Sequence, residues 1–321
     1  MDSAGPGRAC PVSYRYGAGI FQKQAKPALE ADTLWIAGGL YGNPFALERL
    51  VELYEREPGS KALVFNGDFH WFDVHENQFS KIDDAVGRYF ATRGNVETEL
   101  AAEESVAGCG CGYPEWVDDG TVSRSNSIIE RLRQTAIRFP QARARLAALP
   151  MHLVAAVGGE RVAVVHGDAD SLAGWGFSQE ALSSAAGTAG ALRNFEEAGA
   201  RVFASSHTCL PVLQSFPGER AIVNNGAAGM PNFRGTQFGI ATRISVRPSE
   251  KSVYAEKAGG LFVEAVRLDY DAKAWERSFL AQWPAGSDAH LSYYQRIVDG
   301  PRYAVDQALR RAKTESPRLA A

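Results

Sequence analysis

Four short apolar segments of this chain each end in a residue that can bind a metal ion. The segments are rich in β-branched and aromatic side chains, and they lead to Asp68, Asn95, His166 and His207, next to glycine or serine. Such side chains favour β-strands, and glycine lets the backbone turn sharply where a strand ends. When neighbouring strands run parallel, their carboxyl ends meet at one edge of the sheet. We therefore expect an α/β fold built around a single metal centre.

Strands and helices alternate in the first part of the chain. Residues 33–37, 61–66 and 88–92 read as strands, and amphipathic helical patterns at 44–57 and 76–87 separate them. This alternation predicts a largely parallel sheet whose functional loops lie at the carboxyl ends of its strands.

The pattern changes in the second part. A helical region at 124–148 precedes two apolar segments that flank Gly158-Gly159 and predict a hairpin. A helix is expected at 178–198, because a serine can cap its start and Gly199 can end it. Antiparallel strands and a last helix are predicted further on, the strands at 211–216, 221–224, 239–246 and 261–268 and the helix at 273–280.

The chain is long enough for one large domain. Its 321 residues are 45% hydrophobic, which allows a sizeable core. We expect an N-terminal arm at 1–30, a main domain at 31–270 and a C-terminal helix and tail at 271–321. The arm reads as a surface segment, although Cys10 and Arg15 could fold over the site.

Charge and composition limit the classes of partner that this chain is expected to bind. The 34 basic and 37 acidic residues give a net charge of −3 without a basic block, which argues against nucleic acid and a membrane surface. No apolar run approaches the roughly 18 residues of a membrane span, and the polar opening favours a cytoplasmic protein. Four scattered cysteines are too few for a disulfide framework, so thiols are expected. The oligomeric state is not indicated.

The order of the strand ends, Gly-Asp, Gly-Asn, His-Gly and His-Thr, resembles the calcineurin-like metallophosphoesterase family. The resemblance covers about residues 33–235, including Asn224-Asn225-Gly226-Ala227 in place of the family's Asn-Pro-Gly-Ser turn. It implies a four-layer αββα sandwich of two mixed β-sheets flanked by helices. It also implies hydrolysis of phosphate esters by a hydroxide that bridges two metal ions.

One of the two family metal sites is complete in this sequence. The resemblance assigns its ligands to Asp68, Asn95, His166 and His207. Two histidines, a carboxylate and an amide oxygen suit one firmly bound divalent ion, namely iron, manganese or zinc.

The other family site has lost its ligands. The family's Asp-x-His-Gly-Asn appears as Gly39-Leu40-Tyr41-Gly42-Asn43, and Cys209 replaces a second histidine. Val96 stands where the family has the histidine that protonates the leaving group. A second metal ion is therefore uncertain.

Several nearby residues are candidates for the missing functions. His70 is expected to be the catalytic general acid or base, since imidazole titrates near neutral pH, although it could instead pack beneath the site. Tyr41, Cys209, Asn43 and Arg93 are possible second-metal or substrate-binding residues. A replacement metal site could combine Cys209 with His70, or draw on the following residues: Asp73, His75, Cys109 and Cys111. The spacing of the last two is poor for a disulfide, and they lack a partner cysteine pair for a zinc knuckle.

The resemblance implies a metal-dependent hydrolase of phosphate mono- or diesters, acting on a small anionic substrate with a hydroxide on the ion held by Asp68, Asn95, His166 and His207. Two alternatives remain open. Two histidines and one carboxylate also describe a non-haem iron centre, which would indicate non-phosphoryl chemistry. The lost ligands are also compatible with a non-catalytic descendant that only binds a metal or ligand.

Overall fold

Two mixed β-sheets face each other in the computed structural model, and helices cover both outer faces. The structure describes residues 5–104 and 107–311, so residues 1–4 of the predicted arm, 105–106 and the last ten residues of the predicted tail lie outside it. The predicted four-layer α/β sandwich is confirmed. No helix in the described ranges has the length and apolar character that crossing a membrane requires.

The first sheet has seven strands, in the order β1 (Leu29–Ala31), β5 (His152–Val157), β6 (Glu160–Val165), β7 (Val202–Ser205), β9 (Arg220–Asn224), β8 (Val212–Phe216) and β13 (Leu309–Arg310). The second has six strands, in the order β11 (Tyr254–Ala258), β12 (Leu261–Leu268), β10 (Gly239–Ser245), β2 (Thr33–Ala37), β3 (Lys61–Asn66) and β4 (Phe90–Thr92). The predicted hairpin is the antiparallel β5–β6 pair. β2, β3 and β4 are parallel, and so are β6, β7 and β9.

The described helices are α1 (Gly19–Lys23), α2 (Pro44–Arg56), α3 (Glu76–Val86), α4 (Asn95–Ala101), α5 (Asp119–Ala136), α6 (Pro140–Ala148), α7 (Gln179–Ser183), α8 (Ala185–Ala198), α9 (Ala272–Gln282), α10 (Asp288–Asp299) and α11 (Val305–Ala308). A single 3₁₀ turn at Val12–Tyr14 precedes them. α2, α3, α5 and α9 pack on the outer face of the six-stranded sheet, and α1 and α8 cover the seven-stranded sheet.

The apolar layer between the sheets explains the sandwich. Its side chains are almost fully buried, and they include Leu34, Ile36 and Val64 from one sheet and Val162, Val164 and Val202 from the other. All residues of β2 are buried, because the strand is covered on both faces. Continuous apolar strands are typical of such a position.

Two predicted helices are interrupted. The predicted helix at 178–198 is α7 and α8, because Ser184 is extended and its hydroxyl accepts a hydrogen bond from the amide of Gly187 as the cap of a new helix. The helical region at 124–148 is α5 and α6, with Pro140 at the first turn of α6. Proline fits a first turn and disfavours helical continuation before it.

The arm and the cysteines also differ from expectation. Tyr14, Ala18 and Phe21 are buried against the body, so the described arm is more than a surface segment. Cys109 and Cys111 are joined by a disulfide, which corrects the prediction of thiols for this pair. Cys10 and Cys209 are free, as expected.

Candidate metal centre

Four strand ends deliver the predicted ligands to one place. Asp68 follows β3 in the left-handed backbone region, with φ of 52°, and Asn95 is the first residue of α4 after β4. His166 and His207 follow β6 and β7. All four side chains are buried. Because β3 and β4 are parallel neighbours, as are β6 and β7, the order of the strands fixes the set.

The His166 ring is oriented by a backbone carbonyl. Its Nδ1 lies 2.9 Å from the carbonyl oxygen of Asn66, which can only accept a hydrogen bond. Nδ1 therefore carries the proton, and Nε2 presents its lone pair to the centre when the ring is neutral. The turn before Asp68 needs glycine, because a Cβ on Gly67 would lie 2.5 Å from this ring nitrogen.

The loop with the disulfide orients two other ligands. Nε2 of His207 lies 2.8 Å from the carbonyl oxygen of Cys111, so Nε2 donates and Nδ1 keeps its lone pair. The Asn95 amide nitrogen donates to the carbonyl oxygen of Cys109 at 2.9 Å, which turns Oδ1 towards His166. Partners of this kind fix the orientation of metal-binding side chains and raise metal affinity.

The four donor atoms fit a divalent ion. Nε2 of His166 lies 3.4 Å from Oδ2 of Asp68, 3.2 Å from Oδ1 of Asn95 and 3.3 Å from Nδ1 of His207. Neighbouring ligands about 2.1 Å from an ion are roughly 3.0–3.4 Å apart in octahedral or tetrahedral geometry. With neutral histidines, the lone-pair atoms of Asp68, Asn95 and His207 surround that of His166 at distances that a shared cation would allow.

The protonation states also suit a metal. Burial raises the pKa of Asp68, but His166 and His207 outweigh it and hold the pKa below its usual value. Burial, together with the neighbouring His166, lowers the pKa of His207 to about 4. Burial likewise lowers the pKa of His166, but Asp68 reverses the balance and the net shift is upward. A proton on Nε2 of His166 would have to leave before this atom could bind a metal, so metal binding there should depend on pH.

Glu97, which the sequence analysis missed, fixes the position of the Asp68 and Asn95 loops. Its carboxylate accepts hydrogen bonds from the backbone amides of Asp68 at 2.7 Å, Phe69 at 3.0 Å and Gly94 at 2.8 Å. The signal was a glutamate three residues after Gly94, in the capping-box position at the start of a helix.

Protein atoms fill the space beside Gly39, where the resemblance would place a second metal site. A Cβ on Gly39 would lie 2.0 Å from Cζ of Tyr41, so the tyrosine ring occupies the space that a longer side chain would need. The Tyr41 hydroxyl is 2.7 Å from Sγ of Cys209. Among the described residues, Asp68, His166 and His207 form the only group of His, Cys, Asp or Glu side chains close enough to hold an ion.

The other candidates for that site lie elsewhere. Asn43 is fully buried and caps α2, accepting amides of Phe45 and Ala46. The Arg93 guanidinium donates to the carbonyl oxygen of Ala147 at 3.3 Å. His75 is exposed before α3. None of these three candidates lines the cavity described below.

His70 lies in the core beneath the site. Its Nδ1 is 2.6 Å from Oδ2 of Asp73, its Nε2 is 3.9 Å from Oδ1 of Asp83, and its ring stacks on Phe79. Burial lowers the pKa of His70, but these carboxylates raise it overall to about 10. The structure does not bring His70 to the cavity, and we expect it to stabilise the loop rather than take part in catalysis.

A cavity of about 190 Å³ opens beside the metal centre. Of the described residues, those that line it are Tyr41, Asp68, Trp71, Asn95, Val96, Cys111, Tyr113, Trp175, His207, Thr208, Cys209, Tyr293 and Arg296. The sequence analysis missed the contribution of α10, which supplies Tyr293 and Arg296. No local motif marks these two residues.

The sequence matches no protein-family model and no curated protein. Among solved structures, the chain is similar to a metallophosphoesterase from Sphaerobacter thermophilus, with a TM-score of 0.54 and 16% identity over 82% of this chain and 98% of that one. It is also similar to a hypothetical protein from Pyrococcus horikoshii OT3, with a TM-score of 0.55 and 15% identity over 85% of this chain and 100% of that one. These likenesses confirm the predicted fold.

Proposed function

We propose that this chain, which has the calcineurin-like metallophosphoesterase fold, hydrolyses phosphate esters of small anionic molecules with one divalent metal ion. The proposed ligands are Asp68, Asn95, His166 and His207. The observation that carries the proposal is the convergence of four lone-pair atoms, with both histidine tautomers set by backbone carbonyls. Three of these residues also line the cavity in which a substrate would sit.

The chain's own residues would prepare the site for this reaction. A divalent ion, when bound, supplies a Lewis acid that polarises a phosphoryl oxygen and lowers the pKa of water. Glu97 fixes the loops of Asp68 and Asn95, so that ligand geometry needs little rearrangement. Trp71, Trp175 and Tyr293 give the cavity aromatic walls, and apolar walls of this kind lower the local dielectric constant and strengthen electrostatic contacts.

The cavity offers no good general acid for the leaving group. Val96 replaces the family histidine, and His207 is the only histidine among the described lining residues. Burial raises the pKa of Tyr41, Tyr113 and Tyr293, which makes their hydroxyls poor proton donors. We therefore infer that the enzyme prefers esters whose leaving alcohol departs without protonation.

Metal analysis joined to turnover tests the proposal. Wild-type protein should bind about one equivalent of a divalent ion and hydrolyse an aryl phosphate mono- or diester, whereas Asp68→Asn and His207→Ala should lose both properties. We expect a rate loss of about a hundredfold or more, since the metal contributes several kcal/mol. His152→Ala is the matched control, because His152 is half-buried in β5 and packs on Phe21 away from the cavity.

The outcomes separate binding from catalysis. Metal that remains in both ligand variants would refute the ligand set. Metal binding without turnover on either ester would refute the hydrolase. A series of aryl phosphates then tests the missing acid, because the rate should rise steeply as the pKa of the leaving phenol falls. A rate that is independent of that pKa would indicate that a group of the protein protonates the leaving phenol, or that a step other than departure of the phenol limits the rate.

A further inference from the structure

Among the described residues, Arg296 is the one cationic side chain that lines the cavity besides the proposed ligand His207. Arg296 lies on α10, where its Nε donates to the carbonyl oxygen of Pro231 at 3.1 Å and its Nη2 donates to that of Cys209 at 2.9 Å. In the part of the chain that the structure describes, no carboxylate lies within 4.0 Å of the guanidinium nitrogens of Arg296, so Arg296 forms no ion pair there. The two carbonyls hold the group in place but leave its charge uncompensated.

The guanidinium keeps donors for a ligand. Arginine carries five N–H bonds, and the two carbonyl contacts use two of them, so three remain. Arg296 is half-buried and lines the cavity together with Asp68, Asn95 and His207. A fixed, partly desolvated guanidinium with free donors suits a tetrahedral oxyanion.

The neighbours of Arg296 show on which side of the cavity its charge lies. It contacts Cys209, which stands two residues after His207 in the position of a lost family ligand. The Cys209 thiol in turn contacts the Tyr41 hydroxyl, which fills the space beside Gly39. The positive charge of Arg296 therefore lies on the side of the cavity where the family resemblance would place a second metal ion.

We propose that Arg296 is a substrate-binding residue that holds a phosphoryl oxygen and supplies part of the positive charge that a second metal ion would otherwise supply. This inference rests on the proposed function for its substrate class. A guanidinium cannot acidify water, but it stays charged across the working pH range and can bind two oxygens side by side. Its contribution should therefore appear in the binding of the phosphate group.

Inorganic phosphate is the probe. Its dissociation constant is measured by calorimetry on metal-loaded and chelator-treated protein, for wild type, Arg296→Gln, Arg296→Lys and Arg161→Met. Arg296→Gln should bind phosphate about tenfold or more weakly in both states, with unchanged metal content, because a charge-assisted hydrogen bond is lost. Arg296→Lys should keep part of the affinity. In turnover, the same loss should raise KM more than it lowers kcat.

Arg161 provides a matched control. It is also half-buried and also donates to two backbone carbonyls, those of Phe21 and Gln24, but it lies away from the cavity. Arg161→Met should leave phosphate binding unchanged. If the Arg296 variants are unstable, wild-type protein still tests the proposal, since phosphate should slow the modification of Arg296 by phenylglyoxal without protecting Arg161.

The possible results distinguish this proposal from the proposed function. Phosphate affinity that is equal in wild type and Arg296→Gln, or phenylglyoxal modification that phosphate does not slow, would overturn the role of Arg296 even if esters are hydrolysed. Arg296-dependent phosphate binding in a protein that hydrolyses no ester would support the oxyanion site and reject the hydrolase.

Discussion

Replacement of Gly39 by alanine tests whether Tyr41 fills the lost metal position. The added Cβ would lie 2.0 Å from Cζ and 2.3 Å from the hydroxyl oxygen of Tyr41. The φ of Gly39 is not in the left-handed region, so the backbone itself accepts alanine. The ring is only 4% exposed and contacts Phe72, and Tyr41 also borders the cavity, so any shift of the ring disturbs its hydrogen bond to Cys209. The clash with the Tyr41 ring therefore determines how far Gly39→Ala lowers the free energy of unfolding.

The loss of stability in Gly39→Ala can be worked out from the contacts that the Tyr41 ring would lose. Carbon atoms are in favourable contact at about 3.5–4.0 Å, so the ring has to shift by more than about 1 Å. Such a shift removes the Tyr41–Cys209 hydrogen bond, worth about 1 kcal/mol, and overpacks the buried surroundings of the ring, at about 1–3 kcal/mol. We expect Gly39→Ala to lower the free energy of unfolding by about 2–4 kcal/mol.

Urea denaturation of a double-mutant cycle measures this effect. With Tyr41→Ala already in place, Gly39→Ala should cost almost nothing, because the ring that it meets is gone. Gly190→Ala is the control, since its added Cβ would meet only the end of the Arg193 side chain, at 3.7 Å. The reasoning is refuted if Gly39→Ala stays within about 0.5 kcal/mol of wild type, a typical surface value. Equal costs in both backgrounds would refute it as well.

Three further predictions concern stability and metal affinity. The Arg243 guanidinium lowers the pKa of Glu57, so the stability that this carboxylate gives is present above about pH 4.3 and is lost as the pH falls through the lower folded value. In urea denaturation, Glu57→Gln should cost about 2 kcal/mol or more at pH 7, and this difference should narrow as the pH falls through that range. Cys109→Ser with Cys111→Ser should weaken metal binding about tenfold in chelator competition, since both carbonyls orient ligands, and an equal affinity would contradict this. Asn95→Leu should weaken metal binding at least as much in the same assay, and full affinity would remove its amide from the ligand set.

The convergence of the four candidate ligands could be predicted from sequence because each of them is marked by a local signal. Asp68, Asn95, His166 and His207 all follow apolar strands, and parallel pairing then brings them together. The hairpin and the Gly199 helix stop were predictable for the same reason, since both depend on a few adjacent residues.

His70 shows where sequence proximity misleads. It follows Asp68 by two residues, but Asp68 is in the left-handed backbone region and the chain reverses direction there. The amides of residues 68–70 turn towards Glu97, and the His70 ring enters the core beside Asp73 and Phe79. The direction of that turn depends on a glutamate that arrives from another element.

The disulfide between Cys109 and Cys111 and the contribution of α10 to the cavity were not predicted, because both depend on tertiary structure. Gly108, Gly110 and Gly112 all have positive φ, and this lets the loop curl tightly enough to bring Cys109 and Cys111 together. Arg296 reaches the site through Cys209, which is 87 residues away in sequence. No periodicity or motif around residue 296 encodes such a contact.

The departures from the family pattern depend on one another. Gly39 leaves the space that the Tyr41 ring occupies, and the Tyr41 hydroxyl contacts the Cys209 thiol. The carbonyl of Cys209 in turn holds Arg296, whose free donors face the cavity. If the resemblance holds, random loss of a metal site would not require contacts among residues so far apart in sequence, and it would not spare all four proposed ligands of the neighbouring site. Linked replacements around an intact ligand set, with Asp68 at their shared edge, are what we expect of a remodelled active site.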